Sequence, residues 1–255
     1  MNKFSSLLVV LLLMLASFTA GIEYQRGDVN QDGRVTIGDV TCLIDYLLTG
    51  SWDDEPVTPD DHEWVDLGLP SGTLWATCNV GASAPEEYGD FFAWGETDPE
   101  PKDYYDWGSY KWCYGSYKKL TKYCYDSDYG YNDFYDNKRI LDPEDDAAYV
   151  NWGPQWRMPT VNQLVELKDN CTWKKTTRNG VVGCQVTGPN GNTLFLPFAT
   201  IIGNNFDEPI GLYWALELAS PPYKASALAF NGLLSPYGSG SERCDGRPVR
   251  AVCVP

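Results

Sequence analysis

Histidine is nearly absent from this 255-residue chain, with His62 the single example. A serine or cysteine nucleophile activated by imidazole therefore has one base to draw on, and that base lies in an acidic, proline-containing stretch. The chain also contains no Cys-x-x-Cys pair, so the usual histidine and cysteine sets for zinc are missing. Positive charge is scarce: 19 Lys and Arg stand against 35 Asp and Glu, giving a net charge of -16. Nucleic acids and anionic membrane surfaces are polyanions and would repel such a chain. No apolar run is long enough to cross a bilayer, the longest being the short stretch Leu7–Leu15. No tandem repeat is visible either.

That short apolar run has a meaning of its own. Lys3 precedes it, and Ala16, Thr19, Ala20 and Gly21 supply small residues after it. The pattern predicts a signal peptide over residues 1–21 and export of the chain to the cell exterior or the bacterial cell surface. No membrane insertion is expected after its removal. Eight cysteines (42, 78, 113, 124, 171, 184, 244 and 253) in an exported chain favour disulfides. Cys113 and Cys124 share one tyrosine-rich segment and are the pair we expect.

Residues 27–39 read Gly-Asp-Val-Asn-Gln-Asp-Gly-Arg-Val-Thr-Ile-Gly-Asp. Oxygen-bearing side chains fall at loop positions 1, 3, 5, 9 and 12 and glycine at position 6, as a hard cation such as calcium requires. Asp28, Asn30, Asp32, Thr36 and Asp39 are the predicted side-chain ligands, with Arg34 contributing its backbone carbonyl. Val40, Leu43, Ile44, Leu47 and Leu48 then recur with helical period, and Gly50 ends the stripe. A helix of this length is marginal alone in water, so its apolar face needs a partner. Residues 51–63 are acidic, carry two prolines and read as a linker.

From Trp64 onward the texture changes to short strands and few helices. Strands are predicted at Trp64–Leu67, Thr73–Thr77, Phe91–Trp94, Gly211–Leu216, Ala225–Phe230 and Pro248–Val254. A hairpin is predicted for 181–187 with 193–199 across Pro189-Asn190-Gly191. Helices are expected at 143–150 and from Thr160, where Gln163 completes a capping box and Val161, Leu164, Val165 and Leu167 face inward. Trp75, Trp94, Trp156 and Trp214 are assigned to the core. Arg157, Arg243, Arg247 and Arg250 are expected to pair with carboxylates and chain ends.

The Gly-Asp-Val-Asn-x-Asp-Gly loop and its Leu-Ile-Asp-Tyr-Leu-Leu tail resemble the dockerin family. An EF-hand has an entering helix and a glutamate at position 12, whereas here Asp39 closes the loop and little chain precedes it. The resemblance implies Ca2+ binding and a cohesin-type receptor for the 40–48 helix. Dockerins normally carry two such repeats and one is visible here, so the chain's own large domain and another copy of the chain are the other occupants to weigh.

The segments 65–81, 88–96, 156–160, 170–173, 195–197, 211–214 and 243–250 resemble, in order, the Fibrobacter succinogenes major paralogous domain family. This resemblance implies an α+β, C-type-lectin-like fold with about two helices over residues 64–255. Trp156-Arg157-Met158-Pro159-Thr160 is also similar to a segment of formylglycine-generating enzymes. The domain order is then signal peptide 1–21, dockerin-like half-repeat 22–50, linker 51–63 and the large domain. A lectin calcium site is not expected, since Glu208-Pro209-Ile210 and Tyr131-Asn132-Asp133 are incomplete and in the wrong order.

Ten of the 17 tyrosines fall between residues 103 and 136. Tyr104, Tyr105, Trp107, Tyr110, Trp112, Tyr114 and Tyr117 open this segment and form the candidate ligand surface, for a glycan or a surface protein. The opposing reading is an insertion that covers the core with its own rings. The sequence as a whole reads as a non-catalytic binding or adhesion protein with a calcium-dependent docking element. The alternatives are an extracellular carbohydrate-active or formylglycine-generating-like enzyme, and a fimbrial or cell-envelope subunit.

Overall fold

The computed structural model describes residues 62–98, 105–199, 210–231 and 237–253. The chain divides into two units, Met1–Thr58 and Pro59–Pro255, and every described residue belongs to the second. The predicted calcium ligands, the 40–48 stripe, Cys42 and Tyr104 lie outside the described residues.

The second unit is built from small antiparallel sheets with few helices, an arrangement compatible with an α+β or a mainly β class. Strands β1 (Trp64–Asp66) and β2 (Leu74–Ala76) pair with each other, and β2 pairs with β9 (Val252–Cys253). A second sheet orders β3 (Thr172–Arg178), β4 (Val181–Thr187) and β5 (Thr193–Pro197). The third orders β6 (Ile210–Leu218), β7 (Lys224–Asn231) and β8 (Tyr237–Glu242). Helices α1 (Ala147–Trp152) and α2 (Val161–Asn170) lie between β2 and β3 in the chain.

Local chemistry explains several of these elements. Thr160 Oγ1 accepts from the Gln163 amide at 3.2 Å and Gln163 Oε1 accepts from the Thr160 amide at 2.9 Å, closing the predicted capping box. The β4–β5 hairpin turns where Gly191, with φ of 88°, adopts a backbone that an L side chain resists. The four predicted core tryptophans are each no more than 1% exposed. Trp94, Trp156 and Trp214 share one buried cluster with Phe92 and Tyr123, whereas Trp75 joins Leu164, Leu196 and Phe230 in another.

Other elements differ from the sequence reading. The predicted helix at 143–150 is a 3-10 turn over Pro143–Asp145 followed by α1. Asp146 breaks it, because its extended backbone makes it the N-cap of α1 rather than an interior residue. Phe91–Trp94 is no strand: Phe92 makes a single reciprocal bridge with Arg247, at 3.0 Å each way. Val165 stays 44% exposed while Leu164 and Leu167 carry the burial of α2. The last predicted strand shrinks to Val252–Cys253, and β8 forms from a Gly/Ser-rich sequence that shows no apolar alternation.

Candidate functional site

Residues 105–136 contain no β-strand and no α-helix, yet they are held firmly by side-chain bonds to the sheets and to themselves. The Tyr105 hydroxyl donates to the Phe91 carbonyl. The Tyr110 hydroxyl donates to Trp94 O at 2.7 Å, and Trp112 Nε1 to Gly95 O at 2.7 Å. Further along, the Tyr125 hydroxyl donates to Ala219 O at 3.0 Å. Asp136 receives the backbone amides of Tyr123, Cys124 and Lys138 at 2.7, 2.8 and 3.0 Å. These side-chain bonds tie the segment to the rest of the unit without a strand ladder.

Arg243, at the end of β8, is the anchor. It is fully buried. Its Nε donates to the Tyr110 hydroxyl at 2.9 Å, while Nη1 and Nη2 donate to Tyr123 O at 3.1 Å and Lys122 O at 3.0 Å. A longer bond reaches Pro222 O at 3.3 Å. The guanidinium lies over the rings of Trp94, Tyr110 and Tyr123 at 5.1, 5.3 and 5.9 Å. Burial pushes the Tyr110 and Tyr123 hydroxyls up, and the Asp145 carboxylate beside Tyr123 adds to its shift, so both rings remain neutral.

The expected pairing of arginines with carboxylates is corrected here. Arg243 bonds carbonyls and a phenol, Arg250 bonds Asn79 Oδ1 at 2.8 Å and two carbonyls, and Arg157 bonds the carbonyls of Pro154 and Trp156. Among the described residues, Arg247 alone of the four has a carboxylate within ion-pair distance, Asp245 at 2.9 Å. The five fixed donors of a guanidinium suit several carbonyls of irregular backbone at once, which explains the preference. Burial drops Arg250 to about 10.

The predicted ligand surface splits. Tyr110 is buried, and Tyr105 and Trp112 are half-buried with their polar atoms spent on backbone carbonyls. A Cβ on Gly246 would stand 2.7 Å from the Tyr105 ring, so that ring is packed against the β8–β9 connection. Trp107, Tyr114 and Tyr117 reach the outside, Tyr114 at 63% and Tyr117 at 40% exposure. Tyr105, Tyr110 and Trp112 therefore cover the core, as the opposing reading of the segment expects, while Trp107, Tyr114 and Tyr117 stay at the surface.

Tyr129 and Tyr131, from the same tyrosine-rich segment, extend this surface, and Tyr223 joins it from outside the segment. Tyr131 stacks on Tyr114 with centroids 4.9 Å apart. Tyr223, from the β6–β7 connection, lies 4.9 Å from Tyr117, 5.6 Å from Tyr129 and 6.4 Å from Trp107. Nothing in the chain order joins Tyr223 to a segment that ends some ninety residues earlier. The β6–β7 hairpin brings it there, and the backbone amide of Arg243 fixes it by donating to Tyr223 O at 3.0 Å.

The expected Cys113–Cys124 disulfide is not formed, and the seven described cysteines are thiols. Cys113 Sγ donates to Trp107 O at 3.1 Å and Cys124 Sγ to Asp126 O at 3.0 Å, so each sulfur is directed to its own local turn. Burial raises Cys171, Cys184 and Cys253 to about 11, and raises Cys113, Cys124 and Cys244 as well. His62 stacks on Trp152 at 3.9 Å. The Tyr131–Asp133 fragment of the incomplete lectin motif is an exposed 3-10 turn. Among the described residues no group of three or more His, Cys, Asp or Glu is placed to hold a metal, and no helix is long and apolar enough to cross a membrane.

Comparison with known families finds the dockerin type I domain over residues 26–66. No curated protein and no solved structure matches the chain. The class defined by this match is one whose domains bind calcium and, in general, cohesin partners, in proteins that are typically extracellular or on the cell surface. The match contains all six predicted calcium ligands, and their hard oxygen donors fit that ion. It also runs through the acidic stretch 51–63 and ends in β1, whose Trp64–Asp66 pairs with β2.

Proposed function

We propose that this is an exported, non-catalytic binding protein that docks through its calcium-dependent element and carries residues 64–255 as cargo. The match of the dockerin type I domain to residues 26–66, which contains the Asp28–Asp39 spacing, carries this reading. In this reading Asp28, Asn30, Asp32, Thr36, Asp39 and the Arg34 carbonyl grip the ion. The stripe Val40, Leu43, Ile44, Leu47 and Leu48 is then the face offered to a cohesin-type receptor. The ordered motifs over 65–250 support a C-type-lectin-like assignment for the cargo, and its aromatic insertion is the natural contact surface for a carbohydrate-related assembly.

Six of the seven described thiols are poorly suited to act as nucleophiles. A nucleophilic cysteine needs a depressed pKa, and six of these thiols are shifted upward by burial. The exposed aromatic rings, in contrast, suit contact rather than proton transfer.

Limited proteolysis tests the docking element. Calcium should protect residues 27–50 from cleavage, chelator should expose them, and Asp28→Ala with Asp32→Ala should remove the protection while β1–β9 stay folded. Equal cleavage with and without chelator would refute the calcium-dependent element.

A further inference from the structure

We infer that Trp107, Tyr117, Tyr129 and Tyr223 form one binding site for a neutral polysaccharide. The inference rests on the binding-protein reading above and names the ligand class of its aromatic surface. Tyr223 stands at the centre and touches the other three rings, while Tyr117 lies 6.2 Å from Trp107 and 6.5 Å from Tyr129. The rings meet at angles between 38° and 74°, so they form a faceted surface rather than a flat one. Tyr117 is exposed and the other three are half-buried, which leaves each ring partly open to solvent.

Three physical features select the ligand. The first is rigidity: the Tyr223 main chain is tied to Arg243, its ring is braced by Trp107, Tyr117 and Tyr129, and Trp107 donates from Nε1 to Glu242 at 3.0 Å. Rings already held in place lose little entropy on contact. The second is area. A fully buried aromatic side chain covers about 150–250 Å². Four rings already partly covered by one another offer roughly 200–400 Å², well under the about 800 Å² that a stable protein interface needs from each partner. That area suits one or two sugar rings, whose C–H faces stack on aromatics. The third is charge. Glu242 adjoins Trp107, and burial first, then Tyr223, Asp126, Tyr117 and Asp128, raise the Tyr129 hydroxyl. Lys224 lies 5.9 Å from the Tyr223 ring centroid, while the Arg243 guanidinium is turned inward to Pro222 O and Tyr110. Carboxylates accept sugar hydroxyls, and with a net charge of -16 they repel anionic glycans.

Native affinity electrophoresis of the full mature chain tests this, run in calcium and in chelator. The gels contain galactomannan, arabinoxylan or hydroxyethyl cellulose as neutral probes, and polygalacturonate as the anionic one. At least one neutral probe should retard the protein equally with and without calcium, and polygalacturonate should not. Tyr117→Ala combined with Tyr223→Ala should weaken retardation by at least about tenfold. Tyr135→Ala, which removes an exposed ring outside the cluster, should leave it unchanged, as should the mild Tyr117→Phe. Matching near-ultraviolet circular dichroism would show that each variant is folded. The inference is overturned if no neutral probe retards the wild type, or if the double variant runs like wild type. Self-association through these rings, lost in the double variant by size exclusion, would overturn it in favour of a second copy as occupant. Failure here with calcium-dependent protection of 27–50 intact removes the sugar site and leaves the docking reading standing.

Discussion

Arg243 shows how one side chain can organise a region that has no regular structure. Its guanidinium makes four hydrogen bonds, to Tyr110, Lys122, Tyr123 and Pro222, and three rings surround its charge. Replacing it strands buried acceptors, and because neighbouring groups relax around the gap the net cost is taken as about 3 kcal/mol in total. Arg243→Met is therefore expected to lower the melting temperature by roughly 6–12 °C, at about 2–4 °C per kcal/mol for a unit of this size. Arg243→Lys should recover less than half of that loss, because an ammonium cannot fork toward two carbonyls. Differential scanning calorimetry reads both. A change below about 2 °C for Arg243→Met would mean that the segment is held elsewhere. Early cleavage within 105–136 should accompany the loss, since that is the backbone the guanidinium pins.

At the scale of elements, what could be read in advance was what depends on neighbours in sequence. The capping box needs Thr160 and Gln163 alone, and it formed as read. Thr160→Ala should cost about 1 kcal/mol in urea denaturation with an unchanged m-value, and no measurable cost would remove the cap from the account of α2. The β4–β5 hairpin likewise follows from Pro189-Asn190-Gly191 between two apolar runs. The burial of four tryptophans followed from their apolar settings. What escaped was set by distant partners. Asp146 caps α1 and also receives the Met158 amide at 2.9 Å, which no local pattern announces. Strand β8, with its sequence Tyr-Gly-Ser-Gly-Ser-Glu, exists because β7 supplies its pairing. Of the expected ligand surface, chain order marked the segment but not the direction of each ring. Tyr110 turned inward to meet Arg243, and Tyr223 entered from another sheet.

At the scale of the whole molecule, the account has two parts with separate chemistry. The second unit packs around buried tryptophans, and among its described residues no group of three or more His, Cys, Asp or Glu is placed to hold a metal. The first carries the spacing of oxygen ligands that matches a dockerin type I domain, whose members bind calcium. A loop bearing several carboxylates repels itself until a cation neutralises them, so binding and ordering of residues 27–50 should be one event. Isothermal titration calorimetry of calcium into the mature chain tests this most directly. A saturable heat, complete below about 1 mM calcium and absent from the Asp28→Ala, Asp32→Ala variant, is the predicted result. No heat from the wild-type chain at that concentration, or the same heat from the variant, would contradict it.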